Sequence, residues 1–408
     1  MQNKDLMNCL FVYFSIDTTE TYSHSVAILS AVAKQAKFDV DLLIVKDRNY
    51  EEYVRIASTK KPDIVAFSLT SLYWSDGVML ASKIKENMSI PLWVGGSHIN
   101  ALPESFYESP FDAACYGDGE NIFKKALIFL RGGSIYHSPN WLVKNSNTQI
   151  QPNVIDYIDE YPIPYIQLFP KETILEYPSL FFSKGCIFSC NYCMSRKGGY
   201  AHKVRWKTTQ RAIDECIQLV EYCNPTELYF DDDTFIKDIS WVTTFLQAYS
   251  EKVKIPFYCN SRPELLSDKV CKLLSDNYCR GVGIGIESGS ERIRKDILGR
   301  HISNEQIKSA FSMCKSYGLE TWSFNMVNTP SETVEDLEKS IEINSIVNPD
   351  YIRISIFTPF PGSPMYEPQD SYDSYFSKNY LKIDSCPKRK MIEKWIKDLE
   401  EQGKLWND

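Results

Sequence analysis

The chain has 408 residues, 43% of them hydrophobic, which is an ordinary globular balance and enough for two or three domains with sizeable cores. No apolar run approaches the roughly 18–20 residues of a membrane span, and a net charge of −8 without a long Lys/Arg block disfavours a nucleic-acid partner. Twelve cysteines without a pairing framework fit a reducing compartment, and the opening MQNKDLMNCLF has no basic segment ahead of a long apolar one, so a soluble, cytoplasmic protein is expected.

In chain order, strands and helices alternate. Strands are predicted at Cys9–Ile16, Val40–Val45, Asp63–Thr70, Pro91–Val94 and Asp112–Tyr116. Helices are predicted at Tyr22–Ala36, Tyr50–Ser58 and Asp76–Glu86, with a loop and helix over Gly117–Leu130. Five rounds of β then α imply a parallel sheet with right-handed crossovers. In such a sheet ligands bind beyond the carboxyl ends of the strands. Three strand ends there are rich in small and hydroxyl residues: Ser15–Thr19, Ser68–Ser71 with Thr70, and Gly95-Gly96-Ser97-His98. They suit close approach of a large flat ligand to the backbone, or are ordinary turns of a flavodoxin-like domain.

Residues 146–177 form a connector. Pro152, Pro162, Pro164, Pro170 and Pro178 at its end oppose regular structure. Its aromatics, Tyr157, Tyr161, Tyr165 and Phe169, point to packing on a domain surface. The alternation then resumes over 178–366. Strands are expected at Ser179–Phe182, Glu227–Phe230, Pro256–Asn260, Gly281–Ile286, Thr321–Val327 and Tyr351–Phe357, with helices between them. Six strand ends with polar residues describe a parallel barrel or partial barrel whose chemistry sits at the carboxyl-terminal rim. A short tail, 367–408, carries one helix, Met391–Leu399, and one cysteine, Cys386.

The strongest chemical signal is FFSKGCIFSCNYCMSRKGGY, residues 181–200, with Cys186, Cys190 and Cys193 in a C-x3-C-x2-C spacing. A structural zinc site needs four ligands, usually from two paired motifs, and no second pair is present. Three thiolates on one short loop suit three irons of a 4Fe-4S cluster, which normally takes four thiolates, and leave one iron open.

This spacing, with Tyr192 just before the last cysteine, resembles the cluster loop of the radical S-adenosylmethionine (SAM) superfamily. The stretch PLWVGGSHINALPES…FDAACYGDGE resembles the cobalamin-binding domain that often precedes a radical SAM domain, and TPFPGSPMY resembles an ending common to cobalamin-type members. The resemblance implies a flavodoxin-like cobalamin-binding domain over 1–145 and an open (β/α)6 TIM-like barrel over 178–366. It implies that SAM chelates the open iron and that its S–C5′ bond breaks to a 5′-deoxyadenosyl radical.

On this reading Asp232, with Asp233 second, takes the SAM amine. A helix-capping role is the alternative for this acid cluster. Arg262 takes the SAM carboxylate, Glu287 after GVGIGI takes the ribose hydroxyls, and Tyr192 lies by the adenine. A surface ion pair is the alternative for Arg262 and Glu287. Ser68, Thr70, Gly95, Gly96 and His98 are the cobalamin candidates. The axial-histidine motif D-x-H-x-x-G is absent, because the loop after the first strand reads Asp17-Thr18-Thr19-Glu20-Thr21-Tyr22. Asn328 and Ser331 stand where resembling G-x-P-G-E-T turns have glycine, and Glu332 reads as a helix cap.

The function implied is C-methylation of a small molecule or peptide through methylcobalamin, with a flavodoxin- or ferredoxin-type electron donor. A ring-forming or oxidising radical enzyme on the same scaffold, and a non-catalytic corrinoid or iron–sulfur carrier, are the alternatives.

Overall fold

The first strand, β1 (Met7–Phe14), shows why the amino-terminal sheet is central to its unit. Cys9, Leu10, Phe11, Val12 and Phe14 are each at most 1% exposed, the pattern of a strand covered on both faces. In a computed structural model, which describes residues 6–16, 22–146, 149–194, 204–367 and 386–406, the chain falls into two compact units. The first runs to Tyr177 and takes in Arg205–Lys207; the second begins at Pro178, includes the loop to Cys193 and resumes at Thr208.

In the first unit α1 (His24–Gln35), β2 (Phe38–Val45), α2 (Tyr50–Thr59), β3 (Ile64–Ser68), α3 (Trp74–Asn87), β4 (Leu92–Gly95), the short α4 (Ser97–Ala101), β5 (Ala113–Cys115) and α5 (Glu120–Arg131) follow β1. The Ser23 hydroxyl caps α1 by accepting from the Val26 amide at 3.3 Å. The strand order is β2-β1-β3-β4-β5-β6, and all pairings through β5 are parallel. The order reverses between β1 and β3, which is the switch point of a doubly wound sheet. A final edge strand, β6 (Trp141–Val143), is antiparallel to β5. It was not expected, since three residues carry no readable period.

The connector packs on this unit. The Tyr165 amide donates to Ala27 O at 2.8 Å, Phe169 sits edge-on to Tyr13 and Tyr22, and Ile155, Ile158 and Tyr161 cluster with Ile28. Among its described residues it holds one α-helix despite its prolines, α6 (Lys171–Glu176), with Pro170 at the N-cap, where a missing N–H removes no intrahelical bond.

The second unit is a six-stranded sheet in sequence order. It comprises β7 (Ser179–Leu180), β10 (Leu228–Phe230), β11 (Phe257–Ser261), β12 (Cys279–Glu287), β13 (Glu320–Val327) and β14 (Tyr351–Ile356), every neighbouring pair parallel. Two-residue strands, β8 (Ser183–Lys184) and β9 (Arg205–Trp206), follow β7, the latter counted with the first unit. Helices α7 (Thr209–Cys223), α8 (Ile239–Lys252), α9 (Asp268–Ser275), α10 (Asn304–Ser316) and α11 (Val334–Val347) join the strands. An unclosed parallel β/α array of six strands is a partial barrel.

Its core near the cysteine loop is aromatic. Phe230 stacks on Phe257 with centroids 4.3 Å apart, and Phe182 and Phe245 close around it. This cluster anchors the ends of β7 and β10, from which the polar rim projects. The tail helix is packed: Ile392, Trp395 and Leu399 of α12 (Cys386–Glu401) are buried against Val327, Leu337 and Ile352. Residues 17–21 and 195–203 lie outside the described residues, as does the Cys386 side chain.

Candidate active site

Cys186, Cys190 and Cys193 lie on the loop after β8. Cys190 is buried, and the other two are partly exposed. Among the described residues no three His, Cys, Asp or Glu side chains are gathered as a metal-ion site, so the thiols are a donor set strung along one loop. Their chemistry suits iron. Arg262, at the end of β11, donates from Nη1 to the Cys190 sulfur at 3.1 Å, and its Cζ lies 3.7 Å over the Phe188 ring. Glu264 holds the same side chain at 2.6 and 2.7 Å, so Arg262 faces the loop and not bulk solvent.

The acid run after β10 divides. Asp232 is fully buried and accepts from the Phe182 amide at 3.1 Å and from the Ser183 hydroxyl. It pins the chain entering the cysteine loop. Asp233 is exposed. Lys237, which sequence reasoning passed over, donates to Ser183 Oγ at 2.9 Å and Gly185 O at 2.8 Å.

Glu287 ends β12 with φ +66°, and the register with β13 slips between Gly285 and Glu287. A bulge of this kind re-aims the side chain at a strand end. Glu287 Oε1 accepts from Tyr192 OH at 3.2 Å and from Arg300 Nη1 at 2.6 Å. Burial raises the Tyr192 phenol, with the Glu287 charge adding to it, so the ring stays neutral and donates. Burial opposes charge on Arg300, but Tyr192 and Glu287 outweigh it and hold the guanidinium above its ordinary range. Tyr192 and Glu287, proposed from sequence for one ligand, are thus in direct contact. Arg300 was missed; nothing local in Gly299-Arg300-His301 marks it.

The Asn328–Thr333 turn adopts left-handed backbone at both glycine-replacing positions, φ +62° at Asn328 and +58° at Ser331. Glu332 is not the cap. Its Oε2 accepts from the Asn328 amide at 2.6 Å, and Thr333 caps α11 in a capping box with Asp336.

In the first unit the β3 and β4 ends are fused by backbone. Leu69 N donates to Gly95 O at 2.9 Å and Leu69 O accepts from His98 N at 3.2 Å. Thr70 is exposed, and Ser68 and the two glycines are half-buried, at the carboxyl ends of β3, which borders the switch point, and of its neighbour β4. They fit a flat ligand laid on the strand ends. His98 does not: it is fully buried, stacked on Trp74 at 4.1 Å, with its ring nitrogens 3.1 Å from Ser71 Oγ and Ser105 Oγ. The expectation that it touches a ligand gives way to a core role, because three partners on α3, the turn before it and the segment after α4 enclose the ring.

Burial pushes the His98 imidazole down to about 3 from an ordinary 6.5. The unfolded chain therefore binds the proton first, so this stability is whole above about pH 6.5 and is lost as pH falls toward 3. Between pH 7 and pH 5 the wild-type apoprotein should lose about 2 kcal/mol more than His98→Gln. Urea titrations at the two pH values check this; parallel losses contradict it.

Together these features define a class: a doubly wound domain with small and hydroxyl residues at its strand ends, followed by an open β/α barrel carrying a three-thiolate loop. Residues 18–127 match the B12 binding domain family, and residues 180–343 match the radical SAM superfamily. The chain is 28% identical over 359 residues to an uncharacterized methyltransferase of Pyrococcus horikoshii, with 84% of this chain and 77% of that one covered. It is 20% identical over 390 residues to cytidylyl-2-hydroxyethylphosphonate methyltransferase of Streptomyces wedmorensis, covering 79% and 73%. Its fold is similar to the solved structure of the radical SAM methyltransferase TsrM from Kitasatospora setae with cobalamin and a 4Fe-4S cluster bound, at TM-score 0.73, 13% identity, and 88% and 74% coverage.

The chain therefore carries a B12-binding domain over residues 18–127 and a radical SAM domain over residues 180–343. It is an enzyme whose cofactors are a 4Fe-4S cluster, SAM and cobalamin. No helix among the described residues is long and apolar enough to cross a membrane.

Proposed function

We propose that the chain is a cobalamin-dependent C-methyltransferase acting on a small molecule or peptide. The observation that carries this reading is the pairing in one chain of a switch-point rim in a B12-binding domain with a three-thiolate loop at the mouth of a radical SAM barrel. When bound, the cluster supplies the electron that cleaves SAM, and cobalamin supplies a carrier for the methyl group.

The chain's own residues bind and orient. Cys186, Cys190 and Cys193 hold three irons. Arg262, already against the Cys190 sulfur, takes the SAM carboxylate. Asp233, the exposed acid of the pair, takes the amine, while Asp232 fixes the entry to the loop. Glu287 takes the ribose hydroxyls, and Tyr192 lies beside the adenine. Ser68, Thr70, Gly95 and Gly96 carry the corrin through backbone and small side chains. The electron comes from a flavodoxin- or ferredoxin-type donor, and the site of action is the cytoplasm.

Incubating the reconstituted protein anaerobically with a low-potential reductant, methyl-deuterated SAM, cobalamin and an extract of the native host tests this reading. A product heavier by one deuterated methyl group, seen by mass spectrometry only with cobalamin present, is expected. SAM cleavage with no methylated product points to a ring-forming or oxidising enzyme; no cleavage at all points to a carrier.

A further inference from the structure

The turn after the helix-like segment 293–297 reaches back to the cysteine loop at several points. The Asn191 amide donates to Leu298 O at 3.0 Å, and Asn191 Nδ2 donates to Ile297 O at 2.9 Å. Gly299 has φ +66°, and a Cβ there would come within 3.1 Å of the Asn191 side chain. One residue on, Arg300 is buried, its side chain 2% exposed. Its Nη1 donates to Tyr192 OH at 3.1 Å and to Glu287 Oε1, and its Nη2 donates to Gly285 O at 2.8 Å. Its Nε is buried without a partner.

Gly285 is required by this arrangement. A Cβ at that position would lie 2.6 Å from Glu287 Oε1 and 3.0 Å from Arg300 Nη1. The segment is braced from behind. Residues 293–297 form a single π-helical turn, a feature often found at functional sites. Within it the fully buried Arg294 donates to Ser288 O, to Ile302 O at 3.1 Å and to Asn304 Oδ1 at 2.6 Å. The chain thus commits a buried guanidinium, a strained glutamate and a glycine to one place, where Tyr192 of the cysteine loop meets the end of β12.

We infer that Arg300 is a positioning residue of the SAM site: it locks Glu287 and Tyr192 in the orientation that receives the nucleoside of SAM. The inference rests on the reading of this loop as the SAM site. Arg300 supplies no iron ligand, so its loss leaves the cluster in place. What it removes is preorganisation, and Glu287 then spends part of its binding energy on finding its own orientation. A lysine keeps the charge but reaches at most one of the three acceptors with a comparable geometry.

The test titrates SAM against the reduced, reconstituted full-length chain and follows the change in the cluster's electron paramagnetic resonance spectrum. Wild type is compared with Arg300→Met, Arg300→Lys and Tyr192→Phe. The expected result is wild-type iron content in all three. The SAM concentration at half-change rises by roughly tenfold or more in Arg300→Met and by a smaller factor in Arg300→Lys and Tyr192→Phe. In steady state KM for SAM rises more than kcat falls. A wild-type titration in Arg300→Met overturns the inference. So does loss of iron in Arg300→Met with a wild-type titration in Tyr192→Phe, which would make Arg300 a fold residue only. If the wild-type cluster itself does not respond to SAM, the reading of the site fails first and takes the inference with it.

Discussion

Cys190→Ala abolishes the cluster and, with it, SAM cleavage. Alanine offers no donor, and two thiolates on one loop cannot hold three irons of a cubane. The substitution also leaves the Arg262 guanidinium, now 3.1 Å from sulfur, without an acceptor in the loop. The expected outcome is loss of the cluster's visible absorption, iron near background, and 5′-deoxyadenosine formation lower by at least about a thousandfold. The fold survives, because the loop lies outside the aromatic core around Phe230 and the sheet registers do not involve it. Iron analysis, circular dichroism and product chromatography on one preparation check this. A full cluster in the variant would contradict the ligand assignment.

Gly96→Ala is the counterpart in the first unit. Gly96 has φ +112° and ψ −176°, a region essentially closed to residues with a Cβ. A Cβ there would stand 2.4 Å from Leu69 O and 2.8 Å from Leu69 N. Both atoms are backbone, and both are held by hydrogen bonds that fuse the ends of β3 and β4, so no side chain can rotate away. The conformational penalty alone is about 1–3 kcal/mol, and the clash adds to it. A loss of about 3 kcal/mol or more is expected, together with at least a tenfold loss of cobalamin retained after desalting. Gly133→Ala is the control: it shares a positive φ, +73°, but nothing lies within 4 Å of the added carbon. Its cost should be the backbone term alone, with cobalamin uptake unchanged. Equal effects of the two substitutions would show that the β3–β4 joint has no special place in the rim.

Much of the architecture was legible because it is written in short-range terms. The all-apolar runs of β1 and β3, the alternation with amphipathic helices, and the turn residues at strand ends define two parallel sheets without any long-range information. The cysteine loop was legible for the same reason, since its spacing is itself the chemistry.

What was not legible depends on contacts between distant positions. Arg300 meets Tyr192 across 108 residues, and no local pattern forecasts that. Asp232 at a strand end reads as a ligand contact; its hold on the Phe182 amide, fifty residues earlier, has no local signal. His98 beside two glycines at a rim reads as a ligand contact; the stacking of Trp74 and the hydroxyls of Ser71 and Ser105 make it core instead. The tail helix is legible as a helix, but its packing partners are not: Ile392, Trp395 and Leu399 cluster with Val327, Leu337 and Ile352.

On the proposed function, one chain both cleaves SAM to a radical and passes a methyl group through cobalamin. The most direct measurement quantifies 5′-deoxyadenosine and S-adenosylhomocysteine from the same anaerobic reaction, containing reductant, SAM, host extract and protein whose cluster is confirmed by spectroscopy, with and without cobalamin. The expected result is formation of both products, with S-adenosylhomocysteine dependent on cobalamin. A protein with a full cluster that makes no 5′-deoxyadenosine, or makes it with no cobalamin-dependent S-adenosylhomocysteine, would contradict the account.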